Sequence, residues 1–191
     1  MSSEPLKVGI LLVGPVQLLD LAAIDLLYMT TPSYLTTCSL PSPLVTQSRP
    51  CEIYYIGKDS AGSTQSCTSN LTLTLTNTLS DPIVSPGSLD VLFIPGPEPD
   101  HVPEEAYLDF LRSHFDAGTE IMSICTGVFV CGYAGILDGK KVTGPRALVP
   151  VLRKKFPRVE SWDDKVRVVR DGKLWTCGWF VLFFFTYFLY G

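Results

Sequence analysis

Continuous, largely apolar runs recur along the chain and predict buried strands. They occupy residues 8–13, 52–56, 90–94 and 120–124. A strand that is buried on both faces of a parallel sheet has such a run, whereas a half-buried strand alternates apolar with polar residues. The alternation of Leu with Thr over residues 71–76 therefore predicts one strand of the half-buried kind.

Helices are predicted between these runs, where apolar residues recur at helical spacing or where helix start and stop signals appear. They occupy residues 18–29, 103–118, 126–134 and 146–156. Strands that alternate with helices indicate an α/β fold with a mostly parallel sheet that is covered on both faces. Asp171-Gly172 stands between two short apolar segments and predicts a β-hairpin as an addition to this sheet.

Two segments depart from this alternation. Residues 30–50 are rich in Ser, Thr and Pro with little periodicity, and they predict a long loop. Residues 179–190 are almost wholly apolar and aromatic and carry no charge. They are too few to span a membrane as a helix, which takes roughly 20 residues. Three interpretations stay open for them: a buried helix or strand, a membrane-associated tail, or residues that are not the natural end of the domain.

Size and charge narrow the class of protein. The chain has 191 residues, of which 46% are hydrophobic, enough for one domain with a sizeable core. Its 15 basic and 19 acidic side chains give a net charge of −4. Nucleic-acid-binding domains cluster Lys and Arg on one face. The densest basic stretch, residues 153–155, reads instead as the end of a helix, so we predict neither a nucleic-acid nor a membrane partner.

Cysteine usage predicts reduced thiols and no metal. The six cysteines are Cys38, Cys51, Cys67, Cys125, Cys131 and Cys177. None of them forms a C-x2-C pair, and His101 and His114 stand far from them in the sequence, so no metal site is predicted. The first 14 residues read as a strand rather than as a signal peptide. Without a secretion signal, we expect a cytoplasmic protein without disulfides.

Cys125 stands where a predicted strand turns directly into a predicted helix. The sequence from residue 120 to 127 is Glu-Ile-Met-Ser-Ile-Cys-Thr-Gly. The small residues Ser123 and Gly127 suit a tight elbow, which is the geometry of the nucleophile in many hydrolases. Free N–H groups at a helix N-terminus favour a thiolate and lower the pKa of a cysteine. We therefore predict that Cys125 is a reactive nucleophile rather than an inert buried thiol.

Two other positions fall at the same predicted edge of the sheet, where parallel strands end and ligands bind. Gly96, between Pro95 and Pro97, follows one strand and can offer its backbone N–H to a developing anion. Asp20 lies just after the first strand among apolar neighbours, which raise the pKa of a carboxyl group toward the range of acid/base work. The alternative role for Asp20 is a helix N-cap.

These residues resemble a known family. Ser-Ile-Cys-Thr-Gly at residues 123–127, followed by Ala-Gly-Ile-Leu-Asp-Gly-Lys at residues 134–140, resembles the ThiJ/PfpI family of the class I glutamine amidotransferase-like superfamily. Leu-Leu-Asp-Leu-Ala at residues 18–22 and Ile-Pro-Gly at residues 94–96 stand where that family has its acidic residue and its glycine loop. The resemblance covers roughly residues 7–178 and implies a flavodoxin-like three-layer α/β sandwich. The branch that it resembles most is that of the isocyanide hydratase-like proteins.

The resemblance implies roles for the matched positions. Cys125 would be the nucleophile and Asp20 its acid/base partner, while the backbone N–H groups of Gly96 and Thr126 would steady negative charge. The implied reaction is the hydration of a small-molecule isocyanide to an N-formamide, without a cofactor. Protease-like members have His directly after the cysteine, so Thr126 argues against that activity. Relatives commonly form homodimers, and a homodimer is expected here if the C-terminus is complete.

Other functions stay open. One is a non-catalytic redox or stress sensor, in which Cys125 is oxidised reversibly. Another is an inactive truncated product. A transcription regulator is less favoured, because regulators of this kind carry a fused helical DNA-binding module. We divide the chain into a ThiJ/PfpI-like α/β domain at residues 1–178, which lacks the C-terminal helices of the family, and an apolar tail foreign to the family at residues 179–191.

Overall fold

One mixed sheet forms the centre of the computed structural model, which describes residues 4–178. The strands of this part of the chain are β1 (Leu6–Leu11), β2 (Cys51–Gly57), β3 (Thr64–Ser66), β4 (Thr72–Thr74), β5 (Asn77–Thr78), β6 (Val91–Ile94), β7 (Glu120–Ile124), β8 (Lys141–Val142), β9 (Ser161–Trp162), β10 (Val168–Asp171) and β11 (Leu174–Cys177). The central sheet has the order β10-β11-β7-β6-β1-β2-β5. All of its strands run parallel except β10, which pairs with β11 as a hairpin.

Helices lie on both faces of this sheet. They are α1 (Ala22–Met29), α2 (Pro32–Thr37), α3 (Ser42–Gln47), α4 (Glu105–Asp116), α5 (Gly127–Tyr133) and α6 (Val149–Lys155). Buried side chains of α4, α5 and α6 pack in one apolar cluster against one face, whereas those of α1 join a second cluster on the other face. The predicted α/β fold with a mostly parallel sheet in a three-layer arrangement is therefore confirmed.

Alternation along the central strands explains the two clusters. In β7, Ile121 belongs to the cluster with α4 and α5, while Met122 and Ile124 belong to the cluster with α1. Successive side chains of a strand point to opposite faces, so a strand between two helical layers must be apolar at nearly every position. This is why the runs at residues 90–94 and 120–124 are continuous rather than alternating.

The predicted helix over residues 18–29 is divided in the structure. A 3-10 helix at Leu18–Leu21 precedes α1. The backbone N–H of Leu18 donates to Thr68 Oγ1 at 3.0 Å, and the N–H of Asp20 donates to Gln17 O at 3.1 Å. This tight turn brings Asp20 into the protein, where 2% of its surface is exposed.

The prediction of a long loop over residues 30–50 is wrong, because α2 and α3 lie within it. Thr31 caps α2, since its Oγ1 accepts a hydrogen bond from Tyr34 N, and Pro32 occupies the first turn. A capping threonine followed by proline is a helix start signal that the high content of Ser, Thr and Pro obscured. The strand predicted at residues 71–76 is also shorter, because β4 pairs with β3 over three residues outside the central sheet.

Two further predictions concern membrane-spanning helices and the apolar tail. In the part of the chain that the structure describes, no helix is long and apolar enough to cross a membrane. The tail predicted at residues 179–191 lies outside the described residues.

Candidate active site

The elbow at Cys125 joins β7 to α5. Cys125 has a φ of 52°, in the left-handed region that a residue with a side chain adopts only when its surroundings enforce it. Its backbone N–H donates to Cys177 O on β11 at 3.0 Å. Since β7 lies between β6 and β11, the thiol sits near the middle of the carboxyl edge of the sheet. Such strain in the backbone is typical of positions where a side chain must be presented for function.

Gly127 allows the elbow to lie against β6. A Cβ atom built on Gly127 would overlap the carbonyl oxygen of Ile94, and would come within 3.0 Å of the carbonyl carbon. This neighbour is backbone within the central sheet and cannot move aside as a flexible side chain would. This contact with Ile94 explains why the elbow requires a residue without a side chain at position 127.

Substitution of Gly127 with alanine should destabilise the fold. We expect the free energy of unfolding to fall by about 3 kcal/mol, the upper part of the range for overpacking, because the clash is with sheet backbone. Urea unfolding followed by circular dichroism measures it. Gly172→Ala is the matched control, since Gly172 has a positive φ of 63° but no atom within 4 Å. It should cost only about 1–2 kcal/mol. Equal losses for the two variants would contradict the contact at Gly127.

Asp20 lies close enough to this elbow for its charge to act on the Cys125 thiol. Its Oδ2 accepts a hydrogen bond from Gly96 N at 2.8 Å. Burial raises the pKa of Asp20 from 3.8 to about 6, although the hydrogen bond from Gly96 lowers it in part. At neutral pH most of the Asp20 carboxyl groups are therefore ionised, yet they can accept and return a proton with little change in free energy. The N-cap positions of the 3-10 helix and of α1 are Gln17 and Leu21, so the N-cap alternative for Asp20 is wrong.

Gly96 is the point at which the predicted site residues meet. A Cβ atom on Gly96 would lie 2.8 Å from Asp20 Oδ2 and 2.9 Å from Thr126 N, and still closer to Thr126 Oγ1. The Thr126 hydroxyl donates to Pro97 O at 2.6 Å and so ties the elbow to the loop after β6. The structure thus brings Asp20, Gly96, Thr126 and Cys125 together. The N–H of Gly96 is engaged by Asp20 rather than free, so it can bind another anion only when Asp20 releases it.

The pKa of the Cys125 thiol is raised, whereas the sequence predicted that it would be lowered. Burial, followed by the negative charge of Asp20, raises the pKa of Cys125 to about 11, while Thr126, chiefly through its backbone N–H, lowers it in part. The predicted lowering of this pKa by the helix N-terminus is therefore wrong. With seven residues, α5 is short, and its effect is outweighed by desolvation and by a nearby carboxylate. With these pKa values, Cys125 is a thiol at neutral pH and lies near a carboxylate that is largely ionised.

Gln17 is a site residue that sequence reasoning missed. Its side-chain Oε1 accepts a hydrogen bond from Cys125 Sγ at 3.8 Å, and its backbone N–H donates to Gly96 O at 3.0 Å. The available signal was its position three residues before Asp20, on the turn that follows the first predicted strand. Glutamine is common on protein surfaces, and nothing in its neighbours indicated a contact more than a hundred residues away.

Among residues 4–178, no group of three or more His, Cys, Asp or Glu side chains could hold a metal ion. All six cysteines are free thiols. His114 has a structural role, because its ring nitrogens contact Val84 O at 3.0 Å and Thr119 Oγ1 at 3.2 Å in the core.

Comparison with known proteins identifies the family of this chain. The model of the DJ-1/PfpI family matches residues 41–180. The isonitrile hydratase of Pseudomonas putida is 34% identical over 175 residues, which make up 91% of this chain and 65% of that protein. The chain thus spans slightly less than two thirds of the length of this relative.

Solved structures show the same fold. A THiJ/PfpI family protein from Pseudomonas syringae has a TM-score of 0.67 at 20% identity, over 92% of this chain and 63% of that one. DJ-1beta of Drosophila melanogaster has a TM-score of 0.68 at 18% identity, over 92% and 82% of the two chains. Since the family model matches most of the chain, including Gly96 and the elbow at Cys125, this protein belongs to the DJ-1/PfpI family.

Proposed function

We propose that this protein is a cysteine-dependent lyase that hydrates isocyanides to N-formamides. The observation that carries the proposal is the convergence of the Cys125 thiol with a buried carboxylate whose pKa is raised to about 6. Similarity to an isonitrile hydratase supports the choice of substrate, because isonitrile and isocyanide name the same functional group.

The first half of the reaction forms a covalent intermediate. As the Cys125 sulfur bonds to the terminal carbon of the isocyanide, the thiol proton passes to the Asp20 carboxylate. Asp20 then returns the proton to the same carbon, which gives a thioimidate, R–N=CH–S–Cys125. The raised pKa of Asp20 suits it to both transfers, since a base near the working pH is neither too weak to accept the proton nor too strong to return it.

The second half consumes one water. Water adds to the thioimidate carbon, and one of its protons passes through Asp20 to the nitrogen, which gives R–NH–CH(OH)–S–Cys125. The backbone N–H of Thr126 is close enough to the sulfur to steady negative charge there. As the C–S bond breaks, the hydroxyl proton passes to Asp20 and from it to the sulfur, which releases R–NH–CHO and restores the thiol. The sum is R–NC plus water giving the formamide, with no net electron transfer, so the proposal requires no cofactor.

The sensor alternative is less favoured by the same site. Peroxide reacts with a thiolate, and susceptibility of a cysteine to oxidation follows its thiolate character and exposure. Cys125 is half-buried and has a raised pKa, both of which oppose oxidation in the resting state. An enzyme that generates its nucleophile only as substrate arrives is compatible with these properties. Six free thiols suit a reducing compartment such as the cytoplasm.

The test is turnover as a function of pH. The 191-residue chain is mixed with small alkyl and aryl isocyanides, and formamide is quantified by mass spectrometry. Asp20 must be ionised to accept the thiol proton, so kcat/KM should fall as pH falls through about 6 and approach a tenfold loss per pH unit below it. Absence of formamide from every isocyanide would contradict the proposed substrate, and a flat profile from pH 5 to 8 would contradict the role of Asp20.

A further inference from the structure

Hydrogen bonds hold both the Cys125 thiol and the Asp20 carboxylate in place. The Cys125 thiol donates to Gln17 Oε1 at 3.8 Å, while Asp20 Oδ2 accepts from Gly96 N at 2.8 Å. The backbone N–H of Gln17 in turn donates to Gly96 O at 3.0 Å. A chain of contacts therefore runs from the thiol through Gln17 and Gly96 to the carboxylate, and it fixes where both catalytic groups lie.

The side-chain oxygen of Gln17 favours one protonation state of the thiol. In the observed orientation the Gln17 carbonyl oxygen, and not the NH2 group of the same amide, is the atom that contacts the sulfur, so it accepts from S–H and has nothing to donate to a thiolate. A hydrogen bond to the neutral form of an acid disfavours ionisation. The contact with Gln17 therefore stabilises the protonated thiol, in the same direction as burial.

Other groups around the thiol define the remaining electrostatics. Asp20, on the 3-10 helix, is the charged side chain that acts on Cys125 among the described residues. From β11, Cys177 presents its backbone carbonyl to the Cys125 N–H, and its own thiol is buried. From the loop after β6 comes Gly96, which has no side chain. The Thr126 hydroxyl also lies near the thiol, but it donates to Pro97 O, so Gln17 Oε1 is the side-chain atom that accepts the hydrogen bond from the thiol.

We infer that Gln17 is a positioning residue whose side-chain carbonyl holds the Cys125 proton in the resting site, and that it thereby sets the pH at which the thiol becomes nucleophilic. The inference deepens the proposed function and rests on it for its purpose: the proton is kept on sulfur until an isocyanide displaces the contact. Gln17 is half-buried, and its backbone hydrogen bond to Gly96 is kept by any substitution other than proline.

The test measures alkylation of Cys125 by iodoacetamide from pH 6.5 to 9.5, with the labelled peptide quantified by mass spectrometry. Gln17→Leu has a similar size but no acceptor, so the thiol pKa should fall and the rate constant at pH 7.5 should rise about threefold to tenfold. Gln17→Glu adds an acceptor with negative charge, so the rate constant should fall by at least about tenfold. The exposed Cys38 is the internal control, and its rate should be the same in all three proteins.

The outcomes separate this inference from the proposed function. An unchanged or slower rate for Gln17→Leu, with the melting temperature of the wild type, would overturn the role of Gln17. If Gln17→Leu does not fold, the inference still depends on Gln17→Glu, and an unchanged rate in that variant overturns it. Alkylation requires no isocyanide, so a protein that hydrates no isocyanide but shows both rate changes would refute the proposed reaction and leave the role of Gln17 intact.

Discussion

Formamide production should disappear when Cys125 is replaced by alanine. The covalent intermediate of the proposed reaction is formed on the sulfur, so loss of this atom should reduce turnover by several orders of magnitude, to the rate of the uncatalysed reaction. The folded structure should persist, because the backbone of Cys125 makes the contact with Cys177 and the side chain leaves only a small space. Turnover and thermal melting are measured on the same preparations.

Cys51→Ala is the matched control for this experiment. Cys51 is also half-buried and its pKa is also raised to about 11, but it lies at the start of β2, at the opposite edge of the sheet. Its loss should leave kcat and KM within about twofold of the wild type, since distant substitutions affect activity little. If Cys125→Ala retained turnover, or if Cys51→Ala removed it, the assignment of the nucleophile would be wrong.

Replacement of Asp20 by asparagine should reduce activity and raise stability at the same time. Loss of a single acid/base group lowers kcat by about 10²–10⁴-fold. Asparagine keeps an oxygen that can accept the hydrogen bond from Gly96 N, so the geometry of the site should survive. Asparagine carries no charge, so the folded protein no longer holds an ionised group at a position that is 2% exposed. The free energy of unfolding should therefore rise.

The sign of the stability change follows from the pKa of Asp20, which folding raises from 3.8 to about 6. Below pH 3.8 the group is protonated in both folded and unfolded chains. As pH rises from 3.8 to about 6, the unfolded chain loses the proton of Asp20 before the folded chain does. The free energy of unfolding therefore falls across this window, by about 3 kcal/mol in total. An asparagine side chain does not titrate, and the Asp20→Asn variant should therefore gain on the wild type by up to that amount between about pH 4 and pH 7.

Urea unfolding at pH 4, 5, 6 and 7 measures this difference. Asp25→Asn is the control, because Asp25 is an exposed carboxylate on α1, five residues from Asp20. Its effect on stability should be small at every pH. A difference between Asp20→Asn and wild type that stays constant from pH 4 to pH 7 would show that Asp20 has an ordinary pKa, and the proposed acid/base role would lose its basis.

Much of the fold could be predicted from sequence because its signals are local. The apolar runs of β6 and β7 and the strand-to-helix turn at Cys125 each occupy a few consecutive residues, and burial on both faces of a parallel sheet leaves a direct trace in such runs. The errors have the same origin. In residues 30–50, composition indicated a loop, whereas one capping contact at Thr31 and a proline in the first turn begin a helix there.

The chemistry of the site was less accessible to sequence reasoning, because it depends on contacts between distant segments. That Asp20 and Cys125 share a site could be expected from the edge of the sheet and from family resemblance. The raised pKa of the thiol could not, since it depends on how deeply the elbow is buried and on the distance to a carboxylate. The hydrogen bond between Cys125 and Gln17 joins residues 108 positions apart and left no trace in either segment.

The bond from Cys125 N to Cys177 O also has a consequence for biosynthesis. β11 is the neighbour of β7 on the side away from β6, and its pairing runs from Leu174 opposite Ile121 to Cys177 opposite Ile124. A ribosome therefore synthesises Cys125 some fifty residues before it synthesises the strand that supports it. Until β11 has emerged and joined the sheet, the growing chain holds the thiol without the partner that fixes its backbone, so the elbow is completed only after β11 has been synthesised.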